Sequence, residues 1–165
     1  MHPVLFRIGP VALYSYGLAI AIGFLLAASL AALDLFMPPL ALAHAVGRIG
    51  CFLNGCCYGK PTALPWGVLF PPDILYRHPT QLYEAAALAV IFLLLKRIER
   101  RSPPAGTVLL AYGLLYGAWR FLVEFLRADN PPVLAGLTLF QLASLPLALL
   151  CGCLLLLRSR RLRQR

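Results

Sequence analysis

Gly106-Thr107-Val108-Leu109-Leu110-Ala111-Tyr112-Gly113-Leu114-Leu115-Tyr116-Gly117-Ala118-Trp119-Arg120-Phe121-Leu122-Val123-Glu124-Phe125-Leu126-Arg127 is an apolar run with charges only in its last third. Roughly 20 such residues carry a helix across a hydrocarbon core about 30 Å thick. Ionisable side chains inside such a run are costly and usually serve a function. Arg120, Glu124 and Arg127 follow the i, i+4, i+7 spacing of one helix face. Glu124 can pair with either arginine, which leaves one positive charge over. Gly113 and Gly117 stand at GxxxG spacing, which lets a neighbouring helix approach closely.

Four further apolar segments flank this one, at about residues 11–36, 40–53, 81–95 and 137–157. Asp34, Pro38 and Pro39 end the first, Ser102-Pro103-Pro104 makes one turn, and Asp129-Asn130-Pro131-Pro132 makes another. The first segment is long enough to span and lacks a basic leader beyond Arg7, so it reads as a membrane helix, not a signal peptide. With 165 residues, 61% of them hydrophobic and 13% charged, and a mean hydropathy of +0.79, lipid must act as solvent for much of the chain. The expected fold is all-α: one polytopic transmembrane bundle of about five spans over residues 1–165. It carries a polar, aromatic loop at about residues 57–80 and a basic tail at 158–165, and no internal repeat is visible.

The net charge of +9 is distributed in two clusters, Lys96, Arg97, Arg100 and Arg101, and Arg158, Arg160, Arg161, Arg163 and Arg165. Each directly follows an apolar run, the pattern of cytoplasmic helix ends. This placement argues against nucleic acid as a partner and for anionic lipid headgroups. Five spans then put the amino terminus outside and the carboxyl terminus inside, with both polar loops on the outer face.

A second set of embedded polar residues is His44, Arg48 and Cys51, again at i, i+4, i+7. Two helices thus each direct a guanidinium, Arg48 and Arg120, toward the outer half of the bundle. A guanidinium stays protonated and grips phosphate bidentately, and a phospholipid headgroup is the anion available at that depth. The bland alternatives are structural ion pairs or snorkelling for the arginines and helix packing for His44. Arg77-His78-Pro79-Thr80-Gln81-Leu82-Tyr83-Glu84 opens the 81–95 segment, with Thr80 a plausible N-cap and Gln81 and Glu84 on one face. Capping and helix-dipole complementarity explain Glu84 but not Arg77 and His78.

Cys51, Cys56 and Cys57 admit several readings. Apolar packing is one, and a disulfide from Cys51 to either partner on the outer face is another. A reactive thiol near Arg48 or a metal site is the third, although no CxxC spacing appears. No metal and no cofactor is expected.

Gly47-Arg48-Ile49-Gly50-Cys51-Phe52-Leu53-Asn54-Gly55-Cys56-Cys57-Tyr58-Gly59-Lys60-Pro61-Thr62 resembles the signature of the phosphatidylglycerol–prolipoprotein diacylglyceryl transferases. Leu64-Pro65-Trp66-Gly67, the stretch from Arg77 to Glu84, the stretch from Tyr116 to Arg127 and the opening Ile8 to Gly17 extend the resemblance, in order, over most of the chain. It implies transfer of diacylglycerol from phosphatidylglycerol to the thiol of a prolipoprotein signal-peptide cysteine in a bacterial inner membrane. Arg48 and Arg120 would stabilise the departing phosphate, with His78 as a third catalytic residue. Tyr16, Asn54 and Gly59 match positions that line or support the lipid site, and Arg77, Gln81, Glu84, Glu124 and Arg127 complete the expected substrate-binding set.

The chain departs from the pattern at Cys51 and Cys56, where the family usually has Asn and Glu. It also lacks the His-Gly-Gly loop before Gly47, so the base falls to His78 or His44, or the chemistry differs. A lipid-phosphate protein with another acceptor or thiol-based chemistry, and a non-catalytic scaffold, are the alternative readings.

Overall fold

The computed structural model describes the backbone of residues 4–8, 11–71 and 73–163, and side chains within 29–71 and 73–160. Four helices dominate: α1 (Ser15–Leu53), α2 (Thr80–Glu99), α3 (Thr107–Val123), which a 3-10 turn extends over Glu124–Leu126, and α4 (Leu139–Arg163). Three short antiparallel hairpins join or precede them: β1 (Val4–Ile8) with β2 (Val11–Tyr14), β3 (Val68–Leu69) with β4 (Tyr76–Arg77), and β5 (Pro132–Leu134) with β6 (Leu137–Thr138). Among the described residues, three helices are long and apolar enough to cross a membrane, at Ser29–Leu53, Thr107–Leu126 and Leu139–Arg160.

The structure joins the first two expected spans into one. α1 runs for 39 residues, about 58 Å at 1.5 Å per residue, straight through Pro38 and Pro39. Each proline removes a backbone donor and would end an isolated helix. Packing overrides that rule here. Asp34, Met37, Pro38, Ala41 and Ala45 form one continuous buried stripe, and Met37 and Ala41 join a core with Ile91, Leu95, Val108 and Ala111 from α2 and α3. The described residues therefore form four long helices where about five spans were expected, three of them long and apolar enough to cross a membrane.

Asp34 does not terminate α1 either. Its carboxylate accepts hydrogen bonds from the backbone N–H groups of Gly106 at 2.7 Å and Leu109 at 2.8 Å, 72 and 75 residues away. The N-cap of α3 is Gly106, with φ of +87°, a left-handed conformation that suits glycine and leaves no side chain to cap with. Asp34 supplies the missing acceptor from a neighbouring helix, satisfying donors that every helix start leaves open.

The GxxxG expectation is met by α4. A Cβ on Gly113 would lie 2.7 Å from Cys151 Sγ, and one on Gly117 would lie 3.1 Å from both Ala148 Cβ and the Ser144 carbonyl oxygen. Arg158 donates to the Ala105 carbonyl at 2.8 Å, which brings the basic end of α2 and the basic end of α4 to one end of the bundle. At the other end, Lys60 N–H donates to the Leu126 carbonyl at 2.7 Å and Gly59 bridges to Arg127, so the two polar loops meet there.

Candidate functional site

The embedded polar residues gather at the loop end, as their sequence positions predict. Glu84 is fully buried on the inner face of α2. Its Oε1 accepts from Arg48 Nη2 at 2.9 Å and from the Tyr116 hydroxyl at 3.2 Å, and its Oε2 stands 3.6 Å from Arg127 Nη1. One carboxylate thus ties together α1, α2, α3 and the loop after α3. Glu124, also buried, pairs with Arg120 at 2.7 Å and accepts from Asn130 at 2.6 Å and Thr138 at 2.8 Å. Arg127 is gripped by Asp129 through two parallel hydrogen bonds, Nε to Oδ1 at 2.9 Å and Nη2 to Oδ2.

Arg48, Arg120 and Arg127 line a single cavity of about 490 Å³, walled also by Tyr116, Asn130, Phe140 and Ser144. Arg120 lies 4.6 Å from the centroid of the Phe140 ring, a cation–π contact that holds its plane. The surplus positive charge expected from Arg120, Glu124 and Arg127 is not left over: Glu84 and Asp129 join Glu124, so three guanidinium groups face three carboxylates. What remains for an anion is donor capacity. A guanidinium carries five N–H donors, and Arg48 Nε is buried with no hydrogen-bond partner.

Charge at the cavity mouth is set by the same contacts. Burial works against the Asp129 carboxylate, but hydrogen bonds and charge from Arg127 outweigh it and hold the carboxyl below its ordinary range. Burial likewise opposes the Arg127 charge, and Asp129 and Glu84 more than compensate, holding it above the usual guanidinium value.

Several expected residues lie elsewhere. His78 does not line the cavity: its Nδ1 sits 3.3 Å from the Tyr83 hydroxyl, which also accepts from Trp66 Nε1 at 2.7 Å. Arg77 pairs with Asp73, lies over the Tyr58 ring at 5.0 Å and reaches the Gly59 carbonyl at 3.5 Å, bracing the loop after α1. That hydrogen bond from Arg77 holds the Asp73 carboxyl below its ordinary range. Thr80 is not the N-cap of α2. Pro79 occupies that place, and the Thr80 hydroxyl donates to the Cys57 carbonyl at 2.9 Å. Gln81, fully buried, donates to the Cys56 carbonyl at 2.6 Å. Gly59 is a close-approach position, where a Cβ would fall within 2.8 Å of the Leu126 carbonyl oxygen, Thr80 Cγ2 and His78 Cβ. Asn54 is exposed at the end of α1. The Tyr16 side chain lies outside the described residues.

Sequence reasoning left Tyr116 out of the site, although it lines the cavity and donates to Glu84. Its signal was available: Tyr116 and Arg120 stand at i, i+4 on one face. His44 packs edge-on against Tyr116, with ring centroids 5.1 Å apart. Cys51, Cys56 and Cys57 are free thiols at the foot of the same network.

A family model described as prolipoprotein diacylglyceryl transferase matches residues 28–157. Three relatives named phosphatidylglycerol–prolipoprotein diacylglyceryl transferase illustrate the similarity. The Clostridium tetani protein is 43% identical over 118 residues, covering 68% of this chain and 47% of the relative. The Geobacter sulfurreducens protein is 42% identical over 133 residues, covering 78% and 51%. The Methylococcus capsulatus protein is 40% identical over 147 residues, covering 84% and 53%. The chain spans about half the length of these relatives. No solved structure matches.

Proposed function

The chain belongs to the prolipoprotein diacylglyceryl transferase family, and on that premise we propose that it transfers diacylglycerol from phosphatidylglycerol to the cysteine thiol of a prolipoprotein signal peptide. The observation that carries this reading is the convergence of Arg48, Arg120 and Arg127 on one cavity. Guanidinium groups fixed at a cavity wall can stabilise charge that grows on a departing phosphate without reorganising at the moment of reaction. A second, apolar cavity of about 580 Å³ lies between α3 and α4, lined by residues such as Leu114, Phe121, Leu145 and Leu149, and suits an acyl chain.

In the proposed step the acceptor thiolate attacks the glyceryl carbon. A C–S bond forms, the C–O bond to phosphate breaks, and glycerol phosphate leaves with the electron pair. The thiol proton goes to a base. Of the two histidines considered, His44 is better supported than His78, because it contacts Tyr116 at the cavity while His78 is engaged with Tyr83. Glu84 and Glu124 hold the arginines in place, and Arg77, Gln81, Asn54 and Gly59 shape the adjoining loop. Tyr16 is retained in the proposal as a lipid-site residue through the resemblance alone.

The proposed setting is a bacterial inner membrane crossed several times, with the basic clusters on the cytoplasmic side and the arginine cavity toward the outer face. Expression in cells depleted of their own transferase tests the function. Mature lipoprotein should reappear, and should fail to do so with Arg120→Ala. Unprocessed prolipoprotein despite correct insertion would overturn the proposal. Retained binding of phosphatidylglycerol vesicles in that case would favour the scaffold reading, which the one-to-one match of guanidinium and carboxylate groups also supports.

A further inference from the structure

Cys51 lies in the last turn of α1, and Cys56 and Cys57 follow a tight turn at Gly55. The three sulfur atoms all lie within 4.8 Å of one another, and those of Cys56 and Cys57 are 3.6 Å apart. We infer that these three thiols form a binding site for a soft, thiophilic metal ion such as Cu(I) or Zn(II).

The geometry fits. Metal–sulfur bonds of about 2.3 Å in a tetrahedral or near-trigonal arrangement set sulfurs roughly 3.8 Å apart, inside the range the three atoms already span. Thiolates are the ligands that soft cations select. With three protein ligands, Cu(I) is satisfied in trigonal form, and Zn(II) takes a water as its fourth ligand.

The surroundings are built to hold this arrangement. Cys57 has a φ of +64°, a left-handed conformation that a non-glycine residue adopts only when its neighbours impose it. Those neighbours are identifiable: Thr80 and Gln81, in the first turn of α2, hold the Cys57 and Cys56 carbonyls by hydrogen bonds. A Cys56–Cys57 disulfide would join adjacent residues, a poor geometry, and any disulfide within the trio would leave the third sulfur unused.

Binding expels the thiol protons to solvent, so it is visible without any lipid or acceptor and stands apart from the transferase reading. The purified chain, fully reduced under argon, is titrated with Cu(I) and separately with Zn(II) against a chromophoric chelator, and released protons are counted. One ion per chain is expected. Cys51→Ser, Cys56→Ser and Cys57→Ser should each weaken binding at least about tenfold, the lower end of what losing even a supporting residue does at metal sites. Cys153→Ser, at an exposed position on α4, should leave binding unchanged. A variant-free measurement guards against misfolding: bound metal should protect Cys51, Cys56 and Cys57, but not Cys153, from alkylation mapped by mass spectrometry. Wild-type binding no tighter than that of the triple-serine variant, or equal alkylation with and without metal, overturns the inference.

Discussion

Arg48 of α1 and Glu84 of α2 meet at 2.9 Å, with the carboxylate wholly removed from solvent. A buried ion pair contributes little net stability relative to an apolar one, yet breaking it from one side strands a charge. Glu84→Ala strands Arg48, whereas Arg127, 3.6 Å from the same carboxylate, keeps its pair with Asp129. The expected loss is about 3–5 kcal/mol, read as a shift in the detergent-unfolding midpoint, whereas Glu84→Gln should lose less by keeping the Tyr116 hydrogen bond.

Arg120 sits against Glu124 and over Phe140. Under the proposed chemistry, Arg120→Ala should lower the rate of diacylglyceryl transfer by about 10²–10³, the effect of removing one preorganised charge-stabilising donor. Arg120→Lys keeps the charge but not the planar fork, so it should recover only part of the rate. A turnover assay with phosphatidylglycerol and a signal-peptide thiol checks both, and equal rates for wild type and alanine would rule out this role.

The Asp34 contact to the start of α3 makes a separate prediction. Asp34→Ala leaves the Gly106 and Leu109 N–H groups without their acceptor, at about 1–3 kcal/mol for the buried Gly106 donor and less for the half-buried Leu109 one. Hydrogen exchange should rise selectively at the first turn of α3. Unchanged exchange there would show that another group takes over the cap.

Acid should loosen the cavity mouth. The Asp129 carboxyl is held below its ordinary range, so its contribution is fully present above the unfolded value of about 3.9 and is lost as pH falls through the lower folded value. Asp129→Asn should remove that part of the pH dependence. Unfolding midpoints measured from neutral pH down to about pH 3 test the sign.

Close packing of α3 on α4 predicts a coupled pair. Gly113→Ala places a methyl 2.7 Å from Cys151 Sγ, an overpacking that typically costs about 1–3 kcal/mol. Cys151→Ala removes that sulfur, and the double variant should recover most of the loss. A double-mutant cycle showing simple additivity would contradict the contact.

Much of this arrangement was legible in the sequence, and the failures have physical causes. Arg48, Arg120, Glu124 and Arg127 declared themselves because charge in an apolar helix has few uses. The GxxxG pair gave the α3–α4 contact for the same kind of reason, since only a close neighbour rewards two small residues on one face. Pro38 and Pro39 misled because local rules were read without the packing that overrides them. Glu84 looked like a helix-dipole partner, and its true partners lie 36 and 43 residues away, which no local spacing encodes. A still larger separation, 72 and 75 residues, hid Asp34 as the cap of α3. His78 was drawn toward the site by its motif, although the aromatic hydroxyl five residues on holds it elsewhere.

The matched charges around Glu84 and Glu124 bear on how the chain enters a bilayer. Arginine or a carboxylate at the centre of a lone helix opposes insertion by about 2.5–3.5 kcal/mol. Arg48 travels on α1, its carboxylate on α2, and Arg127 follows α3. Each helix alone therefore carries a debt to the lipid that only the next one cancels, which favours release of these helices from the insertion machinery as a group.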